Sequence, residues 1–165
     1  MQRSIADLPT PAVLVEARKL DANLRAMQDR CNSAGVELWP HCKTHKMVQV
    51  LKRQLAIGAV GATVAKVSEA EALLPSGLRN LFIAHSLVDP ALAPRLAALS
   101  AHLDRLVLAV TSPWQLEALE RLLVAAGIHA EVLLAVDTGL GREGARTPEA
   151  AKSLADTIRK NPRLD

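Results

Sequence analysis

The chain has 165 residues and 17.7 kDa, 50% of it hydrophobic and 22% charged, with a formal net charge of +3. Those proportions fit one globular domain and exclude a wholly disordered chain. The basic residues are scattered and the only aromatics are Trp39, Phe82 and Trp114, which argues against a nucleic-acid partner. Cys31 and Cys42 are too few for a disulfide framework, and the apolar runs are too short and too interrupted by charge to span a bilayer. The opening MQRSIADLPTPA has no apolar signal-peptide core, so a reducing cytoplasm is the expected setting.

Short apolar runs alternate with longer Ala/Leu-rich helical runs at a period of about 25 residues. Pro11 to Glu16 reads as a strand, and Ala17 to Cys31 as an amphipathic helix with Leu20, Leu24 and Met27 on one face. Val36 to Pro40 is a second strand, followed by HCKTHK and a helix from Met47 to Leu55. Val60 to Ala65 is a strand of small residues, after which Ser68 is expected to cap a helix that ends at Pro75-Ser76-Gly77.

Leu81 to Ala84 is the fourth strand. Asp89-Pro90 opens a helix to His102, Arg105 to Val110 is a strand, and Ser112-Pro113 opens a helix that Gly127 ends. Ala130 to Val136 is the next strand, Asp137 to Arg146 a Gly-rich loop, and Thr147-Pro148 opens a last helix to Lys160. A strand followed by five αβ units and a helix means an α/β fold with a parallel sheet. An open doubly wound sheet and a (β/α) barrel both satisfy this order, although an eight-unit barrel needs roughly 200 to 250 residues.

Two clusters carry chemistry. WPHCKTHK, Trp39 to Lys46, follows a strand, the place where α/β folds bind ligands. A lysine there can be the nucleophile that condenses with a carbonyl, and Lys43 is the candidate. Read from the residues alone, the cluster could also be a solvated polar loop or a zinc site built on His41, Cys42 and His45. Zinc is disfavoured because adjacent strand ligands point to opposite faces and no second Cys/His pair completes a tetrahedron.

The second cluster, DTGLGREG from Asp137 to Gly144, contains a literal GxGxxG after a strand. A dinucleotide loop would start its helix within the glycines, whereas here the helix signal comes after them. The alternatives are a plain flexible connection, or a loop whose glycines let Arg142 project over the sheet edge as a fixed cation with planar donors.

The stretches LPTPAVLVEARKLDANLRAM, GVELWPHCKTHK, SEAEAL, LFIAHSLVDP and VDTGLGREG, in this order, resemble the D-threonine aldolase and eukaryotic-type D-serine dehydratase family, with its alanine-racemase-like fold type III barrel. The resemblance implies a partial (β/α) barrel of about five βα units in residues 1–165, the N-terminal portion of a PLP-binding barrel domain. It implies that Lys43 is the lysine holding pyridoxal 5'-phosphate as an internal aldimine and that Arg142 matches the arginine facing the cofactor's ring nitrogen. His41 and Thr44 resemble the residues flanking the lysine, and Gly139 and Gly141 those of the cofactor-binding loop. Trp39, Ala135 and Leu140 depart from the family, which usually has arginine, often an acidic residue and commonly methionine at those places.

The implied activity is that of a PLP-dependent lyase, an aldolase cleaving D-β-hydroxy-α-amino acids to glycine and an aldehyde, with D-serine dehydratase or a non-catalytic PLP-binding homeostasis protein as alternatives. Residues Asn161 to Asp165 stop just before the family's sixth barrel strand. The remaining strands, the C-terminal β-domain and a divalent metal of Mn or Zn type are therefore expected outside these residues, with no metal ligand inside them. A homodimer is expected of a full-length relative, and the 165 residues alone are expected to be inactive.

Overall fold

The structure, a computed structural model, describes residues 4–164. Four apolar runs form a parallel sheet: β1 (Ala62–Val64), β2 (Asn80–Ile83), β3 (Arg105–Val110) and β4 (Glu131–Leu134). Their spatial order is β1-β2-β3-β4, with Leu81 opposite Ala62 and Leu106, and Val132 opposite Leu108. The helices are α1 (Ala17–Ser33), α2 (Val48–Ala56), α3 (Val67–Leu73), α4 (Ala93–Ser100), α5 (Pro113–Ala126) and α6 (Pro148–Ile158).

Strand order equal to chain order is the order of a barrel wall. A doubly wound sheet reverses direction at a switch point, and none occurs among these four strands. The two faces of the sheet agree. Ala62, Val64, Leu81, Ile83, Leu106, Leu108 and Val110 join the helices' Leu73, Leu96, Leu99, Leu119, Leu122 and Leu123 in one core. Each fully buried leucine contributes about 1.5–3 kcal/mol. The alternate residues Phe82, Val107 and Leu133 line an open cavity on the other face. The near-continuous apolar runs read as strands covered on both faces, yet among the described residues helices cover only one; Leu133 is 54% exposed.

Local signals set most helix ends. Ser112 accepts the Gln115 amide and Thr147 the Ala150 amide, each with proline at the start of the helix, while Gly127 closes α5 at φ 66°. Asp89 caps as expected by accepting the Ala91 amide, but it opens a 3₁₀ turn, Pro90–Leu92, that runs into α4.

Further expectations are corrected. Pro11 to Glu16 is not a strand: it is solvent-exposed, with Val13 at 96%, and makes no ladder among the described residues. Val36 to Pro40 is an irregular edge, not a strand. Its carbonyls at Leu38 and Pro40 accept the Val60 and Thr63 amides, and His41 bridges Thr63 in parallel, but Pro40 has no N–H to return a bond. The cap of α3 is Lys66 without a side-chain bond, not Ser68; Glu69 instead reaches back to accept the Ala65 amide at 2.8 Å. In α1, the one buried residue is Gln28, and Met27 of the expected apolar face is 51% exposed.

Candidate active site

All four strands run the same way, so their C-terminal ends share one edge of the sheet. The edge segment through His41 runs parallel to β1 and brings the HCKTHK turn to that edge. Cys42–Thr44 is a 3₁₀ turn in which the His41 Nδ1 accepts the Lys43 amide at 3.3 Å, and the Cys42 carbonyl accepts the amides of His45 and Lys46. Cys42 is 1% exposed and anchors the turn in the core, where burial pushes its thiol up to about 11.

Lys43 and Thr44 are exposed on this turn, and Lys43 has no ion-pair partner among the described residues. Burial, then the Lys43 charge, lowers the pKa of His41, against an opposing pull from Glu69; His85 at the end of β2 adds a further lowering. His41 is therefore a neutral imidazole at physiological pH, with Nδ1 spent on the Lys43 amide. His45 accepts the Met47 amide at Nδ1, and burial lowers its pKa as well.

Lys46 takes φ 52°, a region few residues other than glycine occupy. Its Nζ lies 3.1 Å from Glu69 Oε1, and the Glu69 side chain is 9% exposed. Burial works to raise the Glu69 carboxyl, but the Ala65 amide and Lys46 outweigh it and hold the group below the usual carboxylate range. Glu69 carries no local sequence signal of a site residue, because its contact with Lys46 is tertiary.

At the far end of the same edge, the loop after β4 folds around Asp137, whose Oδ1 accepts the amides of Gly139 and Gly141, each at 3.0 Å. Those two amides are thus committed inside the loop, which removes the nest a dinucleotide pyrophosphate would use. Gly139 and Gly141 have φ 123° and 72°, with open space where a Cβ would stand. Gly144 is different: a Cβ there would meet the Ala135 backbone at 2.9 Å. Arg142 pairs with Glu143 at 2.8 Å and lines a cavity of about 360 Å³ with Asp137, Thr138 and the ends of β2, β3 and β4. Ser86 and Thr111 bond across the β2 and β3 ends, and Gln115, 2% exposed, holds the Thr111 amide and the Leu87 carbonyl. None of these three was singled out from sequence.

His41, Lys43 and Thr44 therefore stand on one turn, and Gly139, Gly141 and Arg142 on another. The two turns are separated by four inter-strand spacings, on the order of 19 Å along the sheet, and no hydrogen bond or ion pair joins them among the described residues. Trp39, the departure nearest the lysine in sequence, points elsewhere. Its ring lies under the Arg105 guanidinium at 5.3 Å, where β3 begins, and Arg105 also pairs with Glu131 where β4 begins.

Residues 15–165 match the alanine racemase N-terminal domain. The chain belongs to that family. A D-threonine aldolase from an Arthrobacter species is 34% identical over 158 residues, 96% of this chain and 41% of that protein. D-threo-3-hydroxyaspartate dehydratase from Delftia sp. strain HT23 is 32% identical over 94% of this chain and 40% of its own. The solved structure of D-threonine aldolase from Filomicrobium marinum superposes with a TM-score of 0.90 at 32% identity, over 98% of this chain and 43% of that one. This alanine racemase-type domain thus spans about two fifths of the length of the relatives it matches, and its sheet is part of the wall of their barrel.

Among the described residues, no helix is long and apolar enough to cross a membrane. No group of three or more His, Cys, Asp or Glu side chains there could hold a metal ion.

Proposed function

We propose that this alanine racemase-type domain is the lysine-bearing part of a PLP-dependent lyase acting on D-β-hydroxy-α-amino acids, of the D-threonine aldolase kind. The observation that carries the reading is Lys43 itself: an exposed amine with no ion-pair partner among the described residues, on a turn pinned by Cys42 and His41 at the ligand-binding edge of a barrel wall. The chemistry of the residues present fits the cofactor. Lys43 offers the nucleophilic nitrogen for its aldehyde, and Arg142 offers a fixed cation with planar donors. Gly139 and Gly141 leave space beside Arg142 for a bound group. When bound, the cofactor supplies a sink for the electron pair left at the substrate's Cα.

The chain's own residues have defined parts. Asp137 ties down the two glycine amides and so sets where Arg142 starts. His41 fixes the Lys43 backbone and, being neutral, adds no charge beside the amine. Thr44 continues the same turn. Cleavage of the Cα–Cβ bond, with the β-hydroxyl proton removed and a proton delivered to Cα, gives glycine and an aldehyde; removal of the Cα proton with the β-hydroxyl leaving as water gives an enamine, whose imine tautomer is hydrolysed by water to a keto acid and ammonia. The D-threonine aldolase superposes at 0.90 and a D-threo-3-hydroxyaspartate dehydratase at 0.80, which favours the aldolase outcome. A divalent metal would supply Lewis-acid chemistry at the β-hydroxyl, and we assign its ligands, with a homodimeric active site, to a protein of the relatives' full length acting in the cytoplasm.

The open inner face of the sheet supports the further reading that these 165 residues do not turn over substrate alone. The test is the visible absorbance of the chain mixed with pyridoxal phosphate, beside Lys43→Ala, with D-threonine then added. A cofactor band in the parent that Lys43→Ala loses while keeping its far-ultraviolet spectrum, and no glycine from either, is the expected outcome. An equal band in the variant contradicts the assignment of Lys43, and glycine release by the parent contradicts the inactivity.

A further inference from the structure

The HCKTHK turn carries two lysines three residues apart, both exposed, so a reactive amine at Lys43 requires something that sets Lys46 aside. We propose that Glu69 does this as a positioning residue: by holding Lys46 in an ion pair, it leaves Lys43 as the one amine of the turn open to a carbonyl compound. The inference rests on the reading of Lys43 given above and explains its selectivity.

The geometry is that of a clamp fixed at one end. Glu69 Oε2 is committed to the Ala65 amide at 2.8 Å, which ties the carboxylate to the C-terminal end of β1. The other oxygen meets Lys46 Nζ at 3.1 Å, and the carboxylate's side chain is 9% exposed against 63% for the lysine. The mobile partner is therefore the lysine. Lys46 reaches the carboxylate from the left-handed backbone at φ 52°, and its amide donates to the Cys42 carbonyl at 2.8 Å, so the turn reverses between the two lysines. Holding the Glu69 carboxyl below the usual range keeps it charged at neutral pH. To attack a carbonyl, the Lys46 nitrogen must leave that carboxylate, and Lys43 has no such contact to give up.

Glu69→Gln tests this, because the amide oxygen can still accept from Ala65 while the charge that holds Lys46 is gone. Brief acetylation with acetic anhydride, read by peptide mass spectrometry, gives the Lys46:Lys43 labelling ratio without cofactor. Pyridoxal phosphate followed by borohydride gives the same ratio for the carbonyl. The expected result is a rise in the acetylation ratio of about two- to fivefold in Glu69→Gln, the factor corresponding to an exposed ion pair, with pyridoxyl label appearing at Lys46 beside Lys43.

An unchanged ratio in a folded variant overturns the inference. Should the variant fail to fold, the parent protein decides: raising the salt concentration screens the pair and must raise the acetylation ratio, and a salt-independent ratio overturns the clamp. The two readings fail separately. A moving acetylation ratio with no pyridoxyl label at Lys43 upholds the clamp and defeats the cofactor assignment; label at Lys43 in both proteins with a fixed ratio does the reverse.

Discussion

The Asp137 carboxylate accepts two glycine amides and lies 3.7 Å from Arg146, so its ionisation couples pH to the loop that presents Arg142. The Gly141 amide, then that of Gly139, holds its carboxyl below the ordinary value. A lowered carboxyl contributes stability that is complete above the unfolded value of about 3.9 and is lost as pH falls through the folded value. The loop is thus expected to be insensitive to pH through the neutral range and to loosen only in acid. At neutral pH, Asp137→Asn removes the charge, and trypsin is expected to cut after Arg142 and Arg146 several-fold faster while the core stays folded. An unchanged cutting rate would mean that the glycines hold the loop without the carboxylate. Sequence pointed to this loop through its glycines and hid the residue that organises it, because an Asp two and four positions before the amides it accepts is a conformational pairing that no composition signal marks. Glu69 was hidden for a different reason: its partners come from the preceding strand end and from a turn 23 residues earlier in the numbering.

Elements whose ends are set by their own residues were legible. Ser112, Thr147 and Gly127 each act within one turn of the position read from sequence, since a cap satisfies amides three residues away and needs no neighbour. Ser112→Ala is accordingly expected to cost about 1 kcal/mol, seen as a lower urea midpoint at unchanged slope; a shift within error would mean that Pro113 and the packing of Leu116 and Leu119 hold the start of α5 without the cap. Strands were legible only where they gained partners. Arg105 to Val110 matches β3 end for end, with neighbours on both sides. Pro11 to Glu16 and Val36 to Pro40 have strand-like composition, but a ladder is a property of two segments, and a proline at each place withdraws a donor. Ser68 fails as a cap because α3 already starts at Val67, which leaves Ser68 inside the first turn.

For the molecule as a whole, one face of the sheet is packed with leucine and the other is open, with Phe82, Val107 and Leu133 on it. That asymmetry, the strand order and the match to about two fifths of the relatives' length describe the same object, a stretch of barrel wall carrying two turns at the C-terminal edge of its strands. Period and apolar runs made the wall legible; its one-sided packing was not, because a continuous apolar run looks the same whether its second face meets helices, other strands or solvent. Lys43 and Arg142 share no contact and stand at opposite ends of the edge, so the claim that they serve one cofactor depends on the wall being correctly assembled. The most direct measurement is borohydride reduction of the intact chain with pyridoxal phosphate, followed by mapping of every modified lysine. Label concentrated on Lys43, with the other lysines near background, is the result this account predicts. Label spread over many lysines, or concentrated on one away from the HCKTHK turn, would contradict it.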